Sequence, residues 1–73
     1  MNIFSAVAAC VADGGTVASF AGWDEDKYLR QYGIDGDEGP IVLLHDADGR
    51  VSGYCPTMRE WAGENDWSTR SIV

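Results

Sequence analysis

The chain predicts a small α+β domain: an N-terminal helix packed on a small, mostly antiparallel β-sheet, with a short helix before the last strand. Three observations carry this. Apolar residues recur at helical spacing over the first dozen positions. The stretch "IVLLHDADGRVSGYC" has the alternation and Asp-Gly turn of a β-hairpin. The stretch "TMRE" sets Thr57 and Glu60 at capping-box spacing. Seventy-three residues make a single domain, residues 1–73. So short a chain buries a small share of its surface, so self-association is the expected added support.

The elements follow in order. Asn2 caps a first helix in which Ile3, Phe4, Val7, Cys10 and Val11 share an apolar side, and Asp13-Gly14-Gly15 stops it. Thr16 to Phe20 reads as a strand. A turn holds Gly22 and the acids Asp24 to Asp26. Lys27 to Tyr32 reads as a second strand, with Tyr28, Arg30 and Tyr32 on one face and Leu29 on the other. "GIDGDEGP" reads as a mobile polar loop. In the hairpin, a two-residue Asp48-Gly49 type I′ turn pairs His45 with Ser52 and Leu44 with Gly53. Val42, Leu44, Val51 and Cys55 then share one face, and Leu43, His45, Ser52 and Tyr54 the other. One face takes the helix. The other is a candidate for a subunit contact or a ligand wall. Thr57 opens the second helix, Gly63 or Asn65 ends it, and "DWSTRSIV" forms the last strand.

Composition excludes several functions. The net charge is −7, and the five basic residues, Lys27, Arg30, Arg50, Arg59 and Arg70, are dispersed. A protein that tracks duplex DNA needs clustered cations against the phosphates, so extended nucleic acid is not an expected partner. No apolar run reaches the roughly 20 residues that span a membrane, and no basic region precedes the apolar start as in a signal peptide. Cys10 and Cys55 form no CxxC, and with the lone His45 they make no zinc site; free thiols and an intracellular setting are expected. "DADGRV" lacks the third acid and closing Glu of a calcium loop. His45 and Asp46 are strand neighbours facing opposite ways, so they form no proton-transfer pair. No nucleophile elbow, Walker loop or HExxH is present. The expectation is a protein without catalysis, metal or cofactor.

Several segments, in order, carry a resemblance: "MNIF", "GGTV", Gly22-Trp23, Tyr28-Leu29, "ADGRV" at Ala47 to Val51, and "TMREWAGENDW" at Thr57 to Trp67. Together they resemble the Thoeris anti-defence type 2 family of small phage proteins over nearly the whole chain. Two departures stand out. Only "GIDGDEG" fills a place where the family often has a longer insertion. The short helix lacks the family's Ser-Gln-x-Asp-Leu-Leu-Ala and has one extra residue before Asp66-Trp67. The resemblance implies a non-enzymatic sponge that sequesters a cyclic nucleotide signal of bacterial immunity. The ligands it implies are glycocyclic ADP-ribose from Thoeris or cyclic oligonucleotides from CBASS. It also implies homodimers or homotetramers with ligands at subunit interfaces, in the cytoplasm of the infected host. Some relatives are anti-CRISPR proteins, so fold alone does not fix the target.

Eight residues are the candidates for ligand contact, and Lys27 is a further candidate phosphate partner. Trp23 is either core or a wall on which a base stacks, and Tyr28 is a second aromatic candidate. Arg30 and Arg59, with Lys27, are candidate phosphate partners. Tyr54 and Thr57 flank the hairpin-to-helix junction, where Thr57 either caps the helix or stands beside N–H groups suited to phosphate. Asp66 could accept from an adenine amino group or a ribose hydroxyl, or serve as a cap. Trp67 is either a ligand wall or packing against the first helix. The rival function is an acidic inhibitor that imitates nucleic acid before a CRISPR nuclease or restriction enzyme. Six of the twelve acids, between Asp24 and Glu38, support it.

Overall fold

The computed structural model describes residues 1–72. Its elements are α1 (Ile3–Ala12), β1 (Thr16–Phe20), β2 (Tyr28–Asp35), β3 (Gly39–His45), β4 (Val51–Ser52), α2 (Met58–Ala62) and β5 (Trp67–Ser71). The five strands form one open sheet in the order β4-β3-β2-β1-β5, and every neighbouring pair is antiparallel. Val73, at the end of the expected last strand, lies outside the described residues. No helix among the described residues is long and apolar enough to cross a membrane.

Helix α1 starts where Asn2 Oδ1 accepts from Ser5 N–H at 2.9 Å and stops at Asp13. It lies on one face of the sheet. Ile3, Ala6 and Cys10 meet Ala18 and Phe20 of β1, Leu29 of β2 and Trp67 of β5, with Val42, Leu44 and Tyr54 at the margin. The Cys10 thiol points at the Leu29 carbonyl at 3.7 Å, and burial raises its pKa, so it stays a neutral core group. Among the described residues, no helix covers the second sheet face. Val17 is nevertheless fully buried there, at the strand position across from Arg30 set by the pairing of Ala18 with Leu29.

Two expectations need correction. The hairpin does not use a two-residue type I′ turn. Leu44 pairs with Ser52 and His45 with Val51, and Asp46 N–H donates to the Arg50 carbonyl at 2.8 Å. The loop is therefore the three residues Ala47, Asp48 and Gly49. Type I′ needs positive φ at both central residues, and only Gly49 has it, at 88°. A type I turn closed by Gly49 N–H on the Asp46 carbonyl, with glycine in the left-handed position, is the three-residue alternative. Asp48 Oδ1 holds it by accepting from Arg50 N–H at 2.9 Å. The one-residue shift exchanges the faces of β4: Ser52 now sides with Leu44, Val51 sides with His45, and Tyr54 packs on the helix side. Gly49→Ala should cost about 1–2 kcal/mol through its backbone alone. A Cβ there meets nothing within 4 Å, so a urea denaturation curve with an unchanged midpoint would contradict this loop geometry.

"GIDGDEGP" is also not a free loop. β2 runs on to Asp35 and β3 begins at Gly39. Asp35 Oδ1 accepts from Asp37 and Glu38 N–H at 2.8 and 3.2 Å and folds the turn between them. The register shifts between Gln31 and Ile34, where Gly33 at φ 137° takes up the extra residue.

Candidate functional site

The β1–β2 corner and α2 enclose a cleft of about 290 Å³ lined by Phe20, Ala21, Gly22, Trp23, Thr57, Arg59 and Glu60. The corner is fixed from both sides. Trp23 N–H donates to the Phe20 carbonyl at 3.0 Å, and Ala21 N–H donates to the Asp66 carbonyl at 2.8 Å. Gly22, at φ 97°, turns the chain between them. α2 is built as expected: Thr57 and Glu60 form the reciprocal capping box, and Gly63 ends the helix.

Glu60 does more than cap. Its Oε1 accepts from Tyr54 O–H at 2.8 Å and from Thr57 N–H at 3.0 Å. Its Oε2 accepts from Trp23 Nε1–H at 3.2 Å, and its backbone carbonyl accepts from Trp67 Nε1–H at 2.9 Å. One acid thus ties the β1–β2 corner, the hairpin exit and the start of β5. Partial burial pushes the Glu60 carboxyl up, but the hydrogen bonds from Thr57, Tyr54 and Trp23 outweigh it and hold the pKa below its ordinary value. Tyr54 moves the other way, raised by burial and then by the Glu60 carboxylate. Trp67 meets the rings of Trp23 and Tyr54 near right angles, with centroids 5.3 and 6.2 Å away.

The eight candidate residues divide by place. Trp23, Thr57 and Arg59 line the cleft. Trp23 is half-buried, and Lys27 Nζ already sits 4.7 Å from its ring centroid; a stacking base must displace that ammonium or use the opposite face. Arg59 is exposed, lies 5.8 Å from the Phe20 ring centroid and forms no ion pair with a described residue. The Thr57 hydroxyl accepts from Glu60 N–H at 3.2 Å, so its role here is the cap. Tyr54 stands behind the cleft, hydrogen-bonded to Glu60. Trp67 is 2% exposed and is packing rather than a wall. Asp66 lies against Gly63, where an added Cβ would meet its Oδ2 at 2.8 Å and Phe20 Cε1 at 3.2 Å.

Tyr28 and Arg30 lie elsewhere, on the sheet face away from α1. Tyr28 stacks on His45 with centroids 4.7 Å apart and planes 3° apart. The Arg30 guanidinium lies 5.7 Å from the Tyr32 ring centroid, and its Nε is buried without a hydrogen-bond partner among the described residues. Arg70 reaches over Tyr28 to the Glu25 carbonyl and carboxylate. His45 Nδ1 is 3.1 Å from the Asp26 carbonyl and takes no part in the cleft.

Sequence reasoning gave Glu60 only its capping role. The capping box is its one local signal; its links to Trp23 and Tyr54 join segments distant in the chain. Compared with known proteins, the chain matches no family model, no curated protein and no solved structure.

Proposed function

We propose that the chain is a non-catalytic sponge for a small anionic nucleotide, acting as a phage anti-defence protein in the cytoplasm of the infected host. The ligand class is that of the cyclic nucleotide immune signals, glycocyclic ADP-ribose or cyclic oligonucleotides. The observation that carries this reading is the meeting on one cleft of Trp23 and Arg59, which has no ion pair among the described residues, with Lys27 against the same tryptophan. An acidic chain must gather its few cations to hold a phosphate, and two of its five lie here. The ordered segments from "MNIF" to "NDW" support the same reading.

Size supports a shared site. Ligand pockets are usually about 300–1,000 Å³, and this open cleft of about 290 Å³ falls just below that range. Depleting a scarce signal calls for nanomolar affinity, about −12 kcal/mol, so a second subunit supplies the remaining wall. The rival mimic is weaker because its six acids separate. Asp24 to Asp26 precede β2, and Asp35 to Glu38 follow along its far end, roughly 25 Å away at the usual rise per residue.

Calorimetric titration with cyclic ADP-ribose isomers and cyclic oligonucleotides tests the proposal, together with nucleotide analysis of the supernatant after denaturation. Arg59→Glu should weaken binding about tenfold to a hundredfold, the scale of one charge-assisted hydrogen bond, with an unchanged circular dichroism spectrum. Arg30→Glu, on the other face, should leave affinity as it was. No binding across the panel would sink the proposal, and tight capture of a nuclease instead would favour the mimic.

A further inference from the structure

We propose that the outer face of α1, together with the groove between α1 and α2, is where a second copy of this chain docks. The chain carries 17 charged residues, 5 basic and 12 acidic, among 73, yet the ten residues of α1 carry none. A helix with one side in water ordinarily bears charge on that side. Here the outward residues include Phe4 at 61% exposure, Ala8, and Val11 at 38%.

The face continues onto α2. Ile3, Phe4, Val7, Tyr54, Pro56 and Trp61 line an apolar hollow of about 290 Å³. The Phe4 and Trp61 rings meet edge to face across it, with centroids 4.9 Å apart. Met58, three positions before Trp61 and so on the same side of α2, is 82% exposed. Knob and hollow on one patch are what an isologous contact requires, since a two-fold axis can seat each copy's Met58 in the other's hollow.

Charge and area select the occupant. Two copies at −7 each repel, and an uncharged helix lets them meet without like charges in contact. The same lack of charge gives nucleic acid or a charged peptide nothing to hold. A stable pair buries roughly 800 Å² on each partner, about a sixth of the 4649 Å² this chain exposes. The hollow alone is too small for that, so the contact must run from Met58 along α1 to Val11. Ser5, Ala8 and Ala12 keep that side of α1 low enough for close approach. α2 stands between this hollow and the Trp23 cleft, contributing Trp61 to the one and Arg59 and Glu60 to the other. The docking itself does not depend on what the cleft binds.

Sedimentation velocity over a dilution series tests it. The wild type should self-associate, and Ala8→Glu with Met58→Glu should weaken that by roughly thirtyfold or more, as loss of a central contact does. A tetramer that falls to a dimer counts equally as loss of this interface. Met58→Glu alone guards against a folding defect, because the residue is exposed and an acid suits a helix's first turn. A monomeric wild type overturns the proposal. So does an oligomer that survives both acids, including one that only Tyr32→Glu, on the opposite sheet face, takes apart.

Discussion

Trp67→Ala is expected to cost about 3–5 kcal/mol and to leave much of the chain unfolded at 25 °C. The indole is 2% exposed and touches the rings of Phe20, Trp23 and Tyr54. Its Nε1–H bond to the Glu60 carbonyl holds α2 against β5, and its backbone pairs with Phe20 in β1. At about 0.05–0.15 kcal/mol per residue, a chain of 73 residues has only about 4–11 kcal/mol in all. Three of the eight buried hydrophobic residues are Ala6, Ala18 and Cys10, so little other core remains to compensate. Urea denaturation followed by far-ultraviolet circular dichroism measures the loss. Trp67→Phe, which keeps a ring but not the Nε1–H donor, should fall between. A wild-type midpoint for the alanine variant would show that the aromatic cluster does not organise the core.

Glu60→Ala should cost about 2–4 kcal/mol, less than the sum of its bonds because water reaches the freed groups; a hydrogen bond to a charged group is worth about 1.5–3 kcal/mol. Trp23 Nε1–H, Tyr54 O–H and Thr57 N–H all lose their acceptor. Trp23 would lose its anchor at the cleft, so its fluorescence should shift with stability. The sign of the pH dependence follows from the lowered carboxyl pKa. In acid the unfolded chain takes up this proton first, near the ordinary value of about 4.3. Glu60's contribution is therefore complete above that value and is lost as pH falls through the lower folded value. Glu60→Gln should remove this part of the acid dependence while keeping the side-chain shape. If wild type and Glu60→Gln lose stability in parallel between neutral pH and the acid limb, the carboxylate is not the acid-sensitive tie.

What the sequence discloses is local. Asn2 with the apolar spacing of α1, and Thr57 with Glu60, act within a few residues of themselves, and both helices form as expected. The alternation of Tyr28, Arg30 and Tyr32 against Leu29 also holds, because face parity follows from strand geometry. The hairpin register is not local in this sense. Asp-Gly suits a two-residue turn and also a three-residue loop with glycine last, and the side-chain bond from Asp48 to Arg50 N–H favours the second. The Asp35 turn was hidden for a similar reason: a string of acids and glycines looks unstructured until one carboxylate collects two N–H groups. At the site, the grouping of Trp23 with Arg59 depends on how far α2 folds back over the β1–β2 corner. The three segments that Glu60 ties, at Trp23, Tyr54 and Trp67, come together only in the finished fold.

The sheet order has a consequence for how the chain reaches that fold. β1 to β4 follow one another as a meander, each strand beside its predecessor, so those pairings close short loops and form quickly. β5 instead crosses to the far side of β1, where Trp67 meets Phe20 from 47 positions away. Closing that loop gives up much chain entropy before any contact returns it. The meander and α1 can therefore gather first around Leu29, Ala18 and Cys10, with Phe20 still open on one side. The expected result is that β5 arrives late, completing the core and the hydrogen bond behind the cleft together; a φ-value near 1 at Trp67 would overturn that order.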